Sequence, residues 1–254
     1  MTLRVDIAWL MTTLLVSVRV AAATALAPVF GPAQVPAPVK IFLSLALSAY
    51  VVSALTSAPL AINSLAELAT AGLKEAVIGL AFGFGFMVAY AATQIAGRSL
   101  DVQIGFGAAS ILNPATQGLA PLIGSLFGMV MIAVFLALDG HHLLLRAVAL
   151  SVSSMPPGGV SGPDLSLVIE QSGVMFAFGL AIAAPVMFML WLSDVAMAVF
   201  ARSMPQLNVF VLSFAVKILL GTIGLALSIG VSRMIFSGLF DSTFRFWNRL
   251  LIAR

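Results

Sequence analysis

Six apolar runs, at residues 7–30, 41–61, 73–95, 122–138, 174–200 and 209–231, constrain this chain more than any other feature. A helix crossing the hydrocarbon of a bilayer needs about 20 apolar residues, and each run is close to that length. A soluble domain carries roughly 25% charged residues because its surface must be solvated. Here the charged fraction is 8% against 61% hydrophobic. The natural surroundings of such a chain are lipid and other apolar subunits. The sequence therefore predicts an all-α, polytopic membrane protein, with about six helical segments paired in hairpins, and one membrane-embedded domain over residues 1–254.

The breaks between the runs have legible chemistry. Gly31-Pro32-Ala33-Gln34-Val35-Pro36-Ala37-Pro38 holds three prolines, each removing a backbone donor and restricting its neighbour. Met155-Pro156-Pro157-Gly158-Gly159 and Arg202-Ser203-Met204-Pro205-Gln206 are also turns. The first run is read as a retained helix rather than a cleaved signal, because Asp6 offsets Arg4 and Arg19 interrupts the apolar stretch. Gly79, Gly83 and Gly85 give the third run a small face suited to close helix packing.

Residues 105–118 fit neither a helix nor a solvated loop. Gly105, Gly107 and Gly118 make the stretch too flexible for the first, and Phe106, Ile111 and Leu112 make it too apolar for the second. Asn113-Pro114 interrupts any helix begun within it. Irregular backbone of this kind is tolerated at membrane depth when buried in protein or lining a cavity; the alternative reading is a short interfacial loop.

Catalytic and nucleic-acid functions find little support. With no cysteine, thiol nucleophiles and thiolate metal sites are excluded. No serine has an evident base, and no phosphate-binding loop occurs. Asp139-Gly140-His141-His142 holds both histidines, but adjacent helical positions diverge by about 100°. The expectation is a polar cap at a helix end, with no metal site and no cofactor. The net charge of +3 gathers at the C-terminus as Arg233, Arg245, Arg249 and Arg254 against Asp241. Such a cluster suits the anionic cytoplasmic face of a membrane better than nucleic acid. Phe240, Phe244, Trp247 and Leu251 share one helical face there, suited to headgroups or to a partner subunit.

Intramembrane charges are expensive and are expected to face partners or water. Arg19, Asp194 and Lys217 stand out. Asp194 and Lys217 each lie 11.5 positions from a turn centred between Pro205 and Gln206. In an antiparallel hairpin equal offsets mean equal depth, about 17 Å from the turn, so the two are expected to face each other as an ion pair. The same three charges would serve a secondary transporter as an ion or substrate site, which is the rival reading from another functional class. No internal repeat of the transporter kind is evident.

Several motifs, in order along nearly the whole chain, resemble the flagellar FliR family of type III secretion export-gate proteins. They are Pro28-x-Phe30-Gly31 with Pro36 and Lys40; Gln103-x-Gly105-Phe106-x-x-Ala109 with Asn113-Pro114; and Asp139-Gly140-His141-His142-x-Leu144-Leu145 with Ser151 and Pro156. The most specific is Met204-Pro205-Gln206-x-Asn208-Val209-Phe210 followed by Lys217-Ile218. The chain departs from the family where Ser213 and Ala215 stand in place of a common glycine and proline. The resemblance implies a non-catalytic subunit of a helical hetero-oligomeric gate in the bacterial inner membrane, within the flagellar basal body. It implies P-type and Q-type gate partners, a B-type switch protein, and unfolded export substrates passing through a pore. It further implies that Gly105, Phe106, Gly107, Ile111, Leu112, Asn113, Pro114 and Gly118 belong to a loop that plugs the closed pore. Gate subunits of this kind sit partly above the membrane plane, so six spans is an upper limit.

Overall fold

The structure, a computed structural model, describes residues 7–30, 36–54, 64–106, 121–159, 163–204 and 208–252. All regular structure among them is helical, as the apolar periodicity requires. The helices are α1 (Ile7–Leu26), α2 (Ala37–Ala54), α3 (Leu65–Ile104), α4 (Leu122–Ala137), α5 (Gly140–Ser154), α6 (Leu165–Ser203) and α7 (Val209–Ile252), with a 3-10 turn at Pro28–Phe30 after α1.

Three of the six apolar runs prove to be parts of longer helices. The third run extends at both ends into the 40 residues of α3, the fifth into the 39 of α6, and the sixth into the 44 of α7. At 1.5 Å per residue these helices are about 60 Å long, twice the thickness of a bilayer's hydrocarbon. Much of each must therefore lie outside that layer. The second run begins early, because Pro38 is tolerated in the first turn of α2. α5 has no counterpart among the six runs. Its Gly140-His141-His142 start and Arg146 break the apolar run that would have marked it. No break occurs at Ser213 or Ala215, where α7 runs on with its backbone donors intact.

Among the described residues, five helices have stretches long and apolar enough to cross a membrane, namely α1, α2, α3, α6 and Val211–Ser228 of α7, and α4 with α5 would make a sixth as one broken span. The chain is a multi-pass membrane protein.

Two compact units divide the described residues. One gathers the chain up to Val88 with Phe135–Ser172 and the segment from Ser242 onward. Its core holds Leu15, Val16, Phe82, Phe86, Phe135, Leu144, Val148 and Trp247, all buried. α1 packs on α2 and on α5. The small face of α3 lets α1 approach closely: a Cβ on Gly79 would stand 2.2 Å from the Arg19 carbonyl oxygen, and one on Gly83 2.5 Å from that of Ala23. The C-terminal stripe, expected to face headgroups or a partner subunit, is partly covered by the chain itself. Trp247 is buried, and its indole Nε1 donates to the Phe82 carbonyl at 2.8 Å. Phe240 is buried as well, while Phe244 and Leu251 stay half-exposed.

The other unit comprises Ala89–Val134 and Gly173–Asp241. Ala92, Ala96, Leu100, Ile104, Met131, Ile182, Val186 and Leu190 form its core. Small residues on α3 again permit close packing, with Gly179 of α6 set against the Ala92 carbonyl. Much apolar surface stays uncovered by the chain itself, including Phe42 and Tyr50 on α2 and Leu219 and Leu227 on α7. Such surface in a membrane chain faces lipid or further subunits.

Candidate functional site: the loop stem and the intramembrane charges

Of the anticipated loop, Gly105 and Phe106 are described, and Gly107, Ile111, Leu112, Asn113, Pro114 and Gly118 lie outside the described residues. The two ends that hold it are well defined. α3 ends at Ile104, and Gly105 turns the chain with φ of 104°, a conformation that L side chains rarely adopt. The chain re-enters at Pro121 and begins α4 at Leu122.

Asp101 fastens these two legs together. Its Oδ1 accepts the Ile123 N–H at 3.0 Å and its Oδ2 the Gly124 N–H at 3.2 Å. A helix start leaves four N–H groups without intrahelical partners, and a carboxylate there also meets the positive end of the helix dipole. Asp101 thus caps α4 from the last turn of α3, and it does so buried, at 4% exposure. Gln94 adds a second tie, donating from Nε2 to the Gly124 carbonyl at 2.9 Å. The backbones cross tightly: a Cβ on Gly97 would lie 2.3 Å from the Gly124 Cα. The sequence reading missed Asp101, Gln94 and Gly97, and the available signal was an acid four residues before Gly105 at a helix end.

α6 and α7 border the stem. Gln103 Nε2 approaches the Met187 carbonyl at 3.5 Å, too long for a strong hydrogen bond. Gly105 faces the Phe214 ring, 2.6 Å from where its Cβ would be, and Gly221 faces the Ile104 side chain at the same distance. Between Phe214 and Gly221, on the same helix, Lys217 Nζ lies 2.7 Å from Asp194 Oδ1, with side chains 23% and 41% exposed. The pair is half-covered rather than sealed by this chain. Of the turn motif, Met204, Asn208 and Val209 are described, while Pro205 and Gln206 lie outside the described residues and Phe210 is described in its backbone alone. Asn208 begins α7, its Oδ1 3.4 Å from the Val211 N–H.

The third intramembrane charge has a partner that no spacing rule revealed. Arg19 of α1 donates from Nε to Glu75 Oε2 at 2.5 Å, from Nη1 to Ser151 Oγ at 2.9 Å, and from Nη2 to the Met155 carbonyl at 2.9 Å. Glu75 Oε1 accepts the Gly158 N–H at 3.3 Å, and Lys74 Nζ reaches the Gly159 carbonyl at the same distance. Arg19 is 0% exposed and Glu75 1%. This hub fastens α1, α3, α5 and the loop after α5. A guanidinium whose three nitrogens are all engaged is structural rather than a vacant substrate ligand.

The two histidines do not diverge as helical spacing implies. Their rings lie 4.1 Å apart in the first turn of α5, and Asp139 just before it adopts a left-handed conformation (φ 53°, ψ 28°).

The sequence has relatives among known proteins. The chain matches the family described as "Bacterial export proteins, family 1" over residues 10–243. It is 31% identical to the flagellar biosynthetic protein FliR of Bacillus subtilis, with 94% of this chain and 93% of that protein covered. It is 27% identical to the Escherichia coli protein of that name, covering 80% and 78%. The similarity to Yop proteins translocation protein T of Yersinia pestis is 29%, over 57% of each chain.

Proposed function

Because the chain belongs to family 1 of the bacterial export proteins, we propose that it lines part of the pore through which unfolded flagellar proteins leave the cytoplasm. The chain is a subunit of a type III secretion export apparatus, and it works in assembly with other components of that apparatus. The flagellar branch is favoured by the extent of the likeness, which spans 94% of this chain for the Bacillus protein and 57% for the Yersinia one. P-type and Q-type subunits are the natural occupants of the uncovered apolar faces, and a B-type switch protein completes the set. The bacterial inner membrane is the compartment that such a flagellar gate requires. We assign the chain no catalytic step of its own.

Within the gate, residues 105–118 act as the plug. The observation that carries this role is the stem at Asp101. A buried carboxylate ties both legs of an apolar, glycine-bearing segment to one fixed point. A plug must block ions yet yield to a passing polypeptide. Apolar side chains can close a constriction by dewetting, glycines let it move, and a rigid stem returns it to place. The secondary-transporter reading loses Arg19 to the hub with Glu75 and retains Asp194 and Lys217 alone.

The two classes separate on extraction. In mild detergent a gate subunit leaves the membrane as a large hetero-oligomer with P-type and Q-type proteins. A transporter would run as a monomer or small homo-oligomer. Recovery of the chain alone from cells expressing the whole apparatus would overturn the gate assignment.

A further inference from the structure

The break between α4 and α5 is built with unusual constraint. Phe135, near the end of α4, is fully buried, with its ring centroid 4.0 Å from that of Phe86. A Cβ on Gly140 would lie 2.3 Å from both Cδ2 and Cε2 of the Phe135 ring, so α5 can begin there only with glycine. The preceding residue, Asp139, turns left-handed. Aspartate is among the few non-glycine types that tolerate this conformation. The turn folds the carboxylate back over the first turn of α5, where both histidines stand.

The resulting distances are those of a donor set rather than of a hydrogen-bonded cap. One ligand atom from each of Asp139, His141 and His142 lies within 4.8 Å of the others. His142 Nδ1 is 3.5 Å from Asp139 Oδ1, beyond the usual range for a hydrogen bond between them. With metal–donor distances of about 2.0–2.1 Å, the donor–donor edge of a tetrahedral site is about 3.3–3.4 Å. The Asp139–His142 edge already has that span. His141 Nδ1 supplies a separate indication. It is buried and has no hydrogen-bond partner among the described residues, a cost that a bound ion within reach would relieve. Asp139 and His142 are 73% and 72% exposed, so their side chains can turn inward without disturbing the core.

We propose that Asp139, His141 and His142 bind a divalent transition-metal ion of the zinc class, with water in the fourth position. Two imidazoles and one carboxylate match the ligand preference of that class. They offer too few oxygens for calcium or magnesium. The bound ion ties the left-handed residue to the first turn of α5 and so fixes the break between α4 and α5. Its role is structural.

The test uses the untagged full-length protein in mild detergent, stripped with a chelator and titrated with Zn(II) and, separately, with Co(II). One ion should bind per chain, and Co(II) should give the visible d–d bands of a four-coordinate site. His142→Ala, His141→Ala and Asp139→Asn should each weaken Zn(II) binding by at least about tenfold, the loss that even an outer-shell partner of a metal site can bring. Glu170→Gln, an exposed acid paired with Arg249, should leave binding unchanged. Because Asp139 and His142 are exposed, their variants keep the fold, which circular dichroism verifies. Zn(II) binding equally tight in the three ligand variants, or Co(II) spectra lacking those bands, would overturn the site.

Discussion

Arg19 and Glu75 form a sealed ion pair between α1 and α3, with neither side chain more than 1% exposed. Removing one member strands the other in a low-dielectric interior, which typically costs about 3–5 kcal/mol, whereas replacing both with apolar groups is often nearly neutral. Arg19→Met and Glu75→Leu should each lower the recovery and thermal stability of the detergent-extracted protein sharply. The double variant should recover most of the loss. Additive losses in the double-mutant cycle would show that the two charges act independently.

Asp194 and Lys217 should behave differently, because they are 41% and 23% exposed in this chain. A pair that water reaches is worth about 0–1 kcal/mol. Single neutralisation, Asp194→Asn or Lys217→Met, should therefore leave the isolated chain nearly as stable as before. Its effect should appear on assembly, if partner subunits or lipid seal the half-covered pair. Exchanging the charges, Asp194→Lys with Lys217→Asp, should restore assembly beyond either single exchange, as read by co-purification of the P-type and Q-type subunits.

The hairpin arithmetic and the hub show where sequence reasoning reaches and where it stops. Depth along a two-helix hairpin depends on the rise per residue alone, and Asp194 and Lys217 could be set level from their numbers. Arg19 and Glu75 are 56 positions apart on helices joined through α2, and no local period links them. Asp101 escaped for a related reason, since its role depends on where the chain returns 22 residues later. The apolar runs located every long helix, because a hydrocarbon solvent leaves a plain signature. They missed α5, whose first turn carries His141 and His142 with Asp139 just before it. The C-terminal stripe was visible as a face, but periodicity does not distinguish a face turned to headgroups from one turned to α3.

Close helix crossings should tolerate no added volume. A Cβ on Gly79 would stand 2.2 Å from the Arg19 carbonyl oxygen, a backbone atom that cannot rotate aside. Gly79→Val should push α1 from α3 and disturb the hub one helix face away. Overpacking of this kind usually costs about 1–3 kcal/mol. Gly72, whose Cβ would meet nothing within 4 Å, supplies the control. Gly72→Ala should be neutral in a thermal melt, and equal melting shifts for the two variants would contradict the crossing.

Asp101 should set the precision of the stem. Asp101→Ala leaves the Ile123 and Gly124 N–H groups buried without their acceptor, at about 1–3 kcal/mol. Asp101→Asn keeps one acceptor oxygen and should be milder. In cells expressing the whole gate, the alanine variant should pass small ions more readily than the asparagine variant, with both complexes assembled. Equal tightness in both would detach Asp101 from any closing role.

The most direct measurement is the ion conductance of membranes carrying the assembled gate, with and without residues 105–118. A plug role predicts that the deletion leaves the complex intact by co-purification but makes the membrane leaky to small ions. Phe106→Asp or Ile111→Asp should leak as well, by wetting the constriction, whereas Leu112→Met should stay nearly as tight as the parent. An assembled gate that remains sealed after the deletion would contradict the plug and leave residues 105–118 as an interfacial connection between α3 and α4.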